Sequence, residues 1–249
     1  MTTLLSLEHV CKRFAAGLEQ IAVLDDVSFD VAPGDFVGIQ GERRSGKSLL
    51  LRIAAGWERP DAGRVVYLGK DLWTLSDGAR AKLRRRDGIV MASGSWRPPT
   101  NKSALRHLQE ALACERVSLR ESAEPAHRTL DRVGLADCAF TPSDRLSAGE
   151  LMRLGLALGL VHQPRVLLVD EPAVLLRPGE AAELYQLLAR LGRDPDLALV
   201  VVSEELAPIR IARQRFSLEE GTLRSMDRPA GEVIEFPDVR AREGSGRVP

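Results

Sequence analysis

The chain has little cysteine, no net charge and no long apolar run, and each shortage excludes a class of protein. Cys11, Cys114 and Cys138 are far apart and odd in number, so neither a disulfide framework nor a zinc site is expected. Such isolated cysteines suit a reducing compartment. Lysine plus arginine and aspartate plus glutamate are equal at 35 each, so no overall positive charge favours nucleic acid as a partner.

Hydrophobic segments in this chain are short. No apolar run approaches the roughly 18–20 residues that a membrane-spanning helix needs, and the first residues do not resemble a signal peptide. If the protein works at a membrane, another chain must therefore supply the spans. The composition, 44% apolar and 28% charged, is typical of a soluble globular protein, and 249 residues allow one large domain or two small ones.

Two kinds of apolar pattern follow one another along the chain. Near the N-terminus, residues 5–10 and 23–31 alternate apolar and polar side chains, which predicts half-buried strands of an antiparallel sheet. Farther on, continuous apolar runs alternate with helical periodicity, which predicts an α/β fold with a parallel sheet covered on both faces. The predicted buried strands are 36–40, 89–91, 166–169 and a last one at 197–202, and helical patterns cover 49–55, 102–134, 149–162 and 178–191.

One octapeptide between a predicted strand and a predicted helix carries the strongest chemical signal. Residues 41–48 read GERRSGKS and match the phosphate-binding pattern G-x-x-x-x-G-K-[ST]. A strand, a loop and a helix N-terminus in this order let backbone amides converge on phosphate. Lys47 is then expected to reach the β- and γ-phosphates, and the Ser48 hydroxyl to bind Mg²⁺. The predicted nucleotide-contacting residues here are Gly41, Arg43, Arg44, Ser45, Gly46, Lys47, Ser48 and Leu49.

An acidic pair follows the predicted strand 166–169. Asp170, at the end of this strand, is expected near Ser48, where it can hold Mg²⁺ directly or through water. Glu171 can orient or deprotonate the water that attacks the γ-phosphate. An apolar run that ends in Asp-Glu is weak evidence alone, but downstream of a phosphate loop in an α/β pattern it indicates an ATPase.

Residues 145–150 read RLSAGE just before a long predicted helix, and here the chain resembles the ATP-binding-cassette (ABC) ATPases. The signature of that family is Leu-Ser-Gly-Gly followed by Gln or Glu, and this chain departs from it only at Ala148. The resemblance covers about residues 5–224 and implies that the signature faces the γ-phosphate held by a second subunit. It also implies that Phe14 stacks on adenine, with a core phenylalanine as the alternative. The signature residues are Ser147, Ala148, Gly149 and Glu150.

The resemblance further implies a phosphate-loop NTPase cassette with ATP and Mg²⁺ as cofactors. Three features, the stretches 18–24 and 72–77 and the pair Gly149-Glu150, look most like the branch of macrolide-exporter, lipoprotein-release and cell-division ATPases. That branch implies a dimer of cassettes on transmembrane permease subunits in separate chains, peripheral on the cytoplasmic face of the plasma membrane. The expected parts are a nucleotide-binding core with an antiparallel β subdomain (1–91 and 159–224), a helical signature subdomain (92–158) and a weakly ordered C-terminal tail (225–249).

Besides Ala148, four further positions depart from what the family has. Ala92 stands where the family has a glutamine that senses Mg²⁺ and the membrane partner, and Arg177 reverses the charge of an aspartate at the dimer interface. Glu204 replaces a histidine that contacts the γ-phosphate, and a carboxylate there is repulsive unless it is protonated or paired. Arg44 replaces a usual glycine and places a bulky cation near the phosphates.

Several hypotheses follow from these departures. In the first, the cassette binds ATP but hydrolyses it slowly, and its signature completes the site of a different, fuller cassette. In the second, an active homodimer compensates the changed charges, with Glu204 paired to Arg44 or, across the dimer, to Arg177. In the third, the chain is a nucleotide-binding regulatory scaffold with no transport role. The loop 93–102, where the family docks a membrane partner, then binds no membrane protein.

Overall fold

The computed structural model describes residues 3–16, 19–99, 101–114 and 117–227, with the side chains of residues 16, 19 and 85–87 left out. Most of the predicted tail, residues 228–249, lies outside this part of the chain, as does residue 18 of the stretch 18–24. The described strands and helices are β1 (Leu5–Ala16), β2 (Glu19–Val31), β3 (Phe36–Gln40), α1 (Lys47–Ala54), β4 (Ala62–Tyr67), β5 (Lys70–Asp71), α2 (Asp77–Asp87), β6 (Ile89–Ser93), α3 (Ala104–Ala113), α4 (Leu119–Arg132), α5 (Ala148–Leu160), β7 (Val166–Asp170), α6 (Pro178–Leu191), β8 (Ala198–Ser203), α7 (Leu206–Arg210), β9 (Gln214–Glu219) and β10 (Thr222–Ser225).

The N-terminal strands form an antiparallel sheet in the order β2-β1-β4-β5, as their alternating pattern predicts. Leu5, Leu7 and Val10 of β1 are buried, and Leu5 pairs with Val31 of β2. Both strands are longer than the segments that the sequence predicted. The register between the two strands shifts several times after Leu7. A shift of this kind breaks the alternation on which the prediction rests.

The second sheet has the order β10-β9-β3-β8-β7-β6. Strands β9, β3, β8, β7 and β6 run parallel to one another, and β10 is antiparallel to β9. Every residue of β7 and β8 is buried, which explains their continuous apolar runs. The last predicted buried strand, 197–202, corresponds to β8, but the sequence analysis did not predict the two strands that follow it, β9 and β10. In β9 only Leu218 is buried, so this strand lacks the apolar run that marks the others.

Helices cover both faces of this sheet, as the α/β prediction requires. Leu199 and Val201 belong to an apolar cluster with α3, α4, α5 and α6, whereas Val200 and Val202 belong to a cluster with α1 and the antiparallel sheet. The α/β cassette fold is thereby confirmed, while the division at residues 92 and 158 stays a prediction. In the described part of the chain, no helix is both long and apolar enough to cross a membrane.

Serine residues fix where four of the described helices begin. The side chains of Ser76, Ser103, Ser118 and Ser147 accept hydrogen bonds from backbone amides in the first turns of α2, α3, α4 and α5. Such caps satisfy amides that have no partner inside the helix. The single helical pattern at 102–134 therefore divides into α3 and α4, with the cap of α4 at Ser118.

Candidate functional site

The predicted functional residues meet at the carboxyl edge of the parallel sheet. The Gly41 amide, just after β3, donates to the Ser203 carbonyl at 3.2 Å, and the Glu171 amide, just after β7, donates to the Val202 carbonyl at 3.0 Å. Three strand ends are thus tied together at one place. This edge is where open α/β sheets carry their ligand sites.

The loop between β3 and α1 has two residues in the left-handed backbone region. Gly46 is the N-cap of α1 with φ of 101°, and a Cβ there would approach Val23 and Leu24 of β2 to 3.1 Å. Arg44 has φ of 67°, although it carries a side chain. This conformation costs an L-residue about 1–2 kcal/mol and explains why glycine suits that position.

The Lys47 ammonium lies in the mouth of this loop and is almost completely buried. Its Nζ donates to the carbonyls of Gly41 and Glu42, both at 2.7 Å. It also pairs with Glu171 Oε1 at 3.2 Å. A buried cation therefore links the phosphate loop to the acidic end of β7.

Ser48 and Asp170 are brought together, as expected. The Ser48 hydroxyl donates to Asp170 Oδ1 at 3.0 Å. Burial raises the pKa of Asp170, and the Ser48 hydrogen bond and the nearby Lys47 charge oppose that rise. A hydroxyl and a carboxylate are oxygen ligands of the kind that Mg²⁺ takes, usually with phosphate oxygens and water completing its shell.

Glu171 is held by both of its carboxylate oxygens. Oε1 faces Lys47, and Oε2 accepts a hydrogen bond from the Glu204 backbone amide at 3.1 Å. About a quarter of the Glu171 side chain, 24%, stays exposed. The carboxylate is therefore oriented and still accessible to water.

These residues open into a cavity of about 420 Å³. It is lined by Arg43, Arg44, Gly46, Lys47, Ser48, Leu49, Glu171, Val174 and Glu204. The predicted residues Gly41 and Ser45 line a neighbouring polar cavity of about 640 Å³, which shares Arg43 and Arg44 with the first. The structure thus gathers the whole predicted segment 41–49 around one region of the surface.

A family described as ABC transporter matches residues 24–174, which is more than half of the chain. The chain belongs to this family. The match includes the phosphate loop, the signature and the acidic pair at the end of β7. It does not distinguish among the branches of the family, so the likeness to the exporter and cell-division branch stays a prediction.

Solved ABC cassettes are similar to this chain over most of its length. The ATP-binding cassette MJ0796, solved as a dimer in a post-hydrolysis state with ADP and Pi, is 26% identical, with a TM-score of 0.78 over 89% of this chain and 97% of that one. CbiO1 from Clostridium perfringens, part of the ABC transporter complex CbiONQ, is 22% identical, with a TM-score of 0.78 over 90% and 87%. The second likeness shows the fold alone.

In this ABC cassette, Glu204 contributes its backbone to the site as well as its side chain. Its amide orients Glu171, its carbonyl accepts from Gln40 Nε2 at 3.4 Å, and its side chain lines the cavity. Among the described residues, Glu204 forms no ion pair with Arg44. The predicted compensation of these two charges is therefore not seen within one chain.

The last two residues of β6 lie on opposite faces of the parallel sheet. Ala92 is buried in the apolar cluster on the face away from α1. Ser93 pairs in register with Asp170, so it shares the face of that carboxylate. The interpretation of Ala92 as an altered switch position stays a prediction.

The signature begins α5 with a capping box. Ser147 Oγ accepts from the Glu150 amide at 3.2 Å, and Glu150 Oε2 accepts from the Ser147 amide at 2.7 Å. The latter hydrogen bond lowers the pKa of Glu150. The helix N-terminus at Ser147, Ala148 and Gly149 is therefore firmly defined, as a phosphate-facing segment requires.

Phe14 is exposed rather than part of the core. Its ring is 46% exposed, and Lys12 Nζ lies 5.6 Å from the ring centroid. Phe14 pairs with Ile21 of β2, two residues before the Val23 that lies against Gly46. This placement is compatible with adenine stacking, and the stacking itself stays a prediction.

Proposed function

We propose that this chain is the ATP-binding subunit of an ABC membrane complex and that it binds ATP with Mg²⁺ at the edge of β3, β7 and β8. The observation that carries the proposal is the convergence of Lys47, the Ser48–Asp170 hydrogen bond and Glu171 on one cavity. The membership of the ABC transporter family gives this geometry its context.

The loop has features that fit a nucleotide. In the part of the chain that the structure describes, Ser45 Oγ is buried and has no hydrogen-bond partner. Such a polar atom is costly unless a ligand or water satisfies it. Residues 41–49 would hold the phosphates, Lys47 would neutralise them, and Phe14 would stack on adenine. Ser48 and Asp170 would hold Mg²⁺, whose charge would stabilise the phosphoryl group under attack.

Hydrolysis at this site is proposed to be slow. Glu171 can accept a proton from the attacking water, but the Glu204 carboxylate lines the same cavity as the phosphate-binding residues. A second negative charge near the γ-phosphate opposes phosphate binding unless it is neutralised. Loss of one preorganised electrostatic group commonly costs about 10²–10³ in rate. The replaced histidine and glutamine of the family are two such groups.

The second candidate is an active homodimer with rearranged charges. Arg44 lines the same cavity as Glu204, so a small movement or a dimer contact could pair them. In either case the proposed partners are a second cassette, identical or different, and permease chains that supply the membrane spans. The dimeric structure of the similar ABC cassette MJ0796 supports the pairing of two cassettes. The proposed work of the complex is export or mechanical work in the periplasm, driven by cassettes on the cytoplasmic face of the membrane.

The decisive test is ATP binding and turnover of the assembled membrane complex with Glu171→Gln in this chain. If turnover collapses, the site hydrolyses ATP and the charge changes are compensated. If ATP still binds and turnover survives, hydrolysis belongs to another subunit. Glu124→Gln, an exposed change on α4, serves as the control. Copurification with no membrane protein would instead favour the regulatory scaffold.

A further inference from the structure

The start of the signature helix is in contact with a carboxylate from a different helix. Glu180, in the first turn of α6, accepts a hydrogen bond from the Gly149 amide through Oε1 at 3.3 Å. Its other oxygen accepts from the Arg177 amide at 3.1 Å. One side chain thus joins the N-terminus of α5 to that of α6.

The contact between Gly149 and Glu180 is close. A Cβ on the buried Gly149 would lie 3.2 Å from both Cβ and Oε1 of Glu180, so glycine is what permits this approach. The hydrogen bonds from the Arg177 amide and from the Gly149 amide hold the pKa of Glu180 below its usual value. The carboxylate is accordingly charged at neutral pH.

Ser147 and Gly149 are the groups that a dimer would direct at the γ-phosphate held by the partner cassette. We infer that Glu180 is an internal anion that occupies this phosphate-facing end of the signature, so the partner's nucleotide binds there only after the carboxylate has moved away. The inference rests on the proposed function, since it assumes that ATP joins two cassettes. Two anions cannot share the same donors, and their like charges repel each other. Glu180 therefore weakens ATP-driven association of the cassette.

A purely structural role for Glu180 makes a different prediction. Glutamate is favourable in the first turn of a helix, and here it also clamps α6 to α5. If that were its whole effect, a neutral side chain would lower thermal stability and leave ATP-driven association unchanged or weaker. The two roles are therefore separated by the direction in which association changes.

The experiment uses the full chain with Glu180→Gln, in a Glu171→Gln background chosen to remove the carboxylate that activates the attacking water. Sedimentation measures self-association with and without ATP and Mg²⁺. The expected result is an ATP-dependent dissociation constant at least about tenfold lower than with Glu180 present, and no change without ATP. Glu183→Gln, one turn away and paired with Arg153, is the matched control and should leave the constant unchanged.

Each other outcome counts against the inference. Unchanged or weaker ATP-dependent association of the Glu180→Gln chain overturns the inference. The inference also fails if neither the chain with Glu180 nor the chain with Glu180→Gln associates although each binds ATP, because Glu180 is then not what prevents the signature from binding the partner's nucleotide. Binding of a fluorescent ATP analogue to the single chain is measured in parallel. If no nucleotide binds, the proposed function itself fails, which separates the two failures.

A second measurement tests the contact without requiring a dimer. The ¹⁵N-¹H resonance of the Gly149 amide should shift with pH as Glu180 titrates, and this shift should disappear in Glu180→Gln. If the Gly149 resonance does not shift over the pH range in which Glu180 titrates, the carboxylate does not occupy the signature in solution.

Discussion

The helices α1 and α5 both begin at an expected phosphate site, but the chain completes only one of these two helix N-termini with its own side chains. Gly46, the N-cap of α1, has no side chain to offer, and the loop before it is held open by its left-handed backbone. Ser147, the N-cap of α5, forms a capping box with Glu150, and Glu180 adds a second carboxylate. One N-terminus is arranged to receive an anion, and the other already has one.

The comparison separates what the chain does for its own nucleotide from what it offers a partner. At α1, the positive group is Lys47, which is held by carbonyls and by Glu171. At α5, neutral donors face carboxylates of the same chain. An incoming phosphate gains a buried cation at the first place and must displace an anion at the second. Binding of ATP and association through ATP are therefore separable properties of this chain.

The largest effect is expected from Lys47→Ala in the assembled complex. It removes the buried cation of the phosphate loop and leaves Glu171 without its ion-pair partner. We expect weaker ATP binding and, if this site contributes to turnover, a loss of about 10²–10³ in its rate. Lys70→Ala, an exposed change in β5, is the control. Calorimetric titration measures the ATP affinity. If Lys47→Ala leaves that affinity unchanged, the buried cation does not distinguish the N-terminus of α1 from that of α5.

A second prediction concerns the backbone that holds the α1 N-terminus open. Gly46 and Gly69 have φ of 101° and 73°, but an added Cβ meets Val23 and Leu24 at Gly46 and nothing within 4 Å at Gly69. Gly69→Ala should cost about 1–2 kcal/mol through backbone strain alone. Gly46→Ala should cost about 1–3 kcal/mol more through overpacking, and it should weaken ATP binding. Denaturant unfolding of both variants measures the difference, and equal losses would contradict it.

A third prediction tests whether the α5 cap has a role beyond helix stability. Ser147→Ala and Ser118→Ala each remove the cap of a helix that has a capping box, so each should cost about 1 kcal/mol in the free energy of unfolding. Only Ser147→Ala should also change ATP-driven association of the chain. If both variants associate as the unchanged protein does, Ser147 is a cap and nothing more.

Most parts of the site that the sequence predicted are contiguous in the chain; the exception, the contact of Ser48 with Asp170, was predicted from the order of the two motifs. The strand at 36–40 and the helix at 178–191 have the predicted bounds. The segment 41–49 lines one region of the surface because residues that are consecutive in the chain stay close together in space. The contacts that were missed join distant residues. Whether Ser93 or Ala92 faces Asp170 depends on the register between β6 and β7, and the Gly149–Glu180 contact depends on how α5 packs against α6.

The weak apolar pattern of β9 explains the other miss. Of its residues only Leu218 is buried, so its place beside β3 depends on backbone pairing with that strand rather than on a buried apolar run. Local patterns thus predict which segments carry chemistry. They do not reveal which side chains of other segments complete, or fill, the sites that those segments form.

The smallest effect is expected from Glu150→Gln, which isolates the charge in the α5 capping box. The Ser147 amide lowers the pKa of Glu150, so the folded state binds the proton less readily than the unfolded state does. Its stabilising contribution is therefore complete above the ordinary glutamate pKa of about 4.3 and is lost as the pH falls through the lower folded pKa. At pH 7 the variant should be less stable by about 0.3–1 kcal/mol, as is typical of a carboxylate at an exposed helix N-terminus. Unfolding measured from pH 7 down to pH 3 should show the two curves converging.

The same series on Glu183→Gln should show little difference at any pH, because an exposed ion pair such as Arg153–Glu183 contributes little. A gap for Glu150→Gln that persists at pH 3 would mean that its side chain stabilises α5 by packing, and the α5 N-terminus would then owe less to charge than the comparison with α1 assumes.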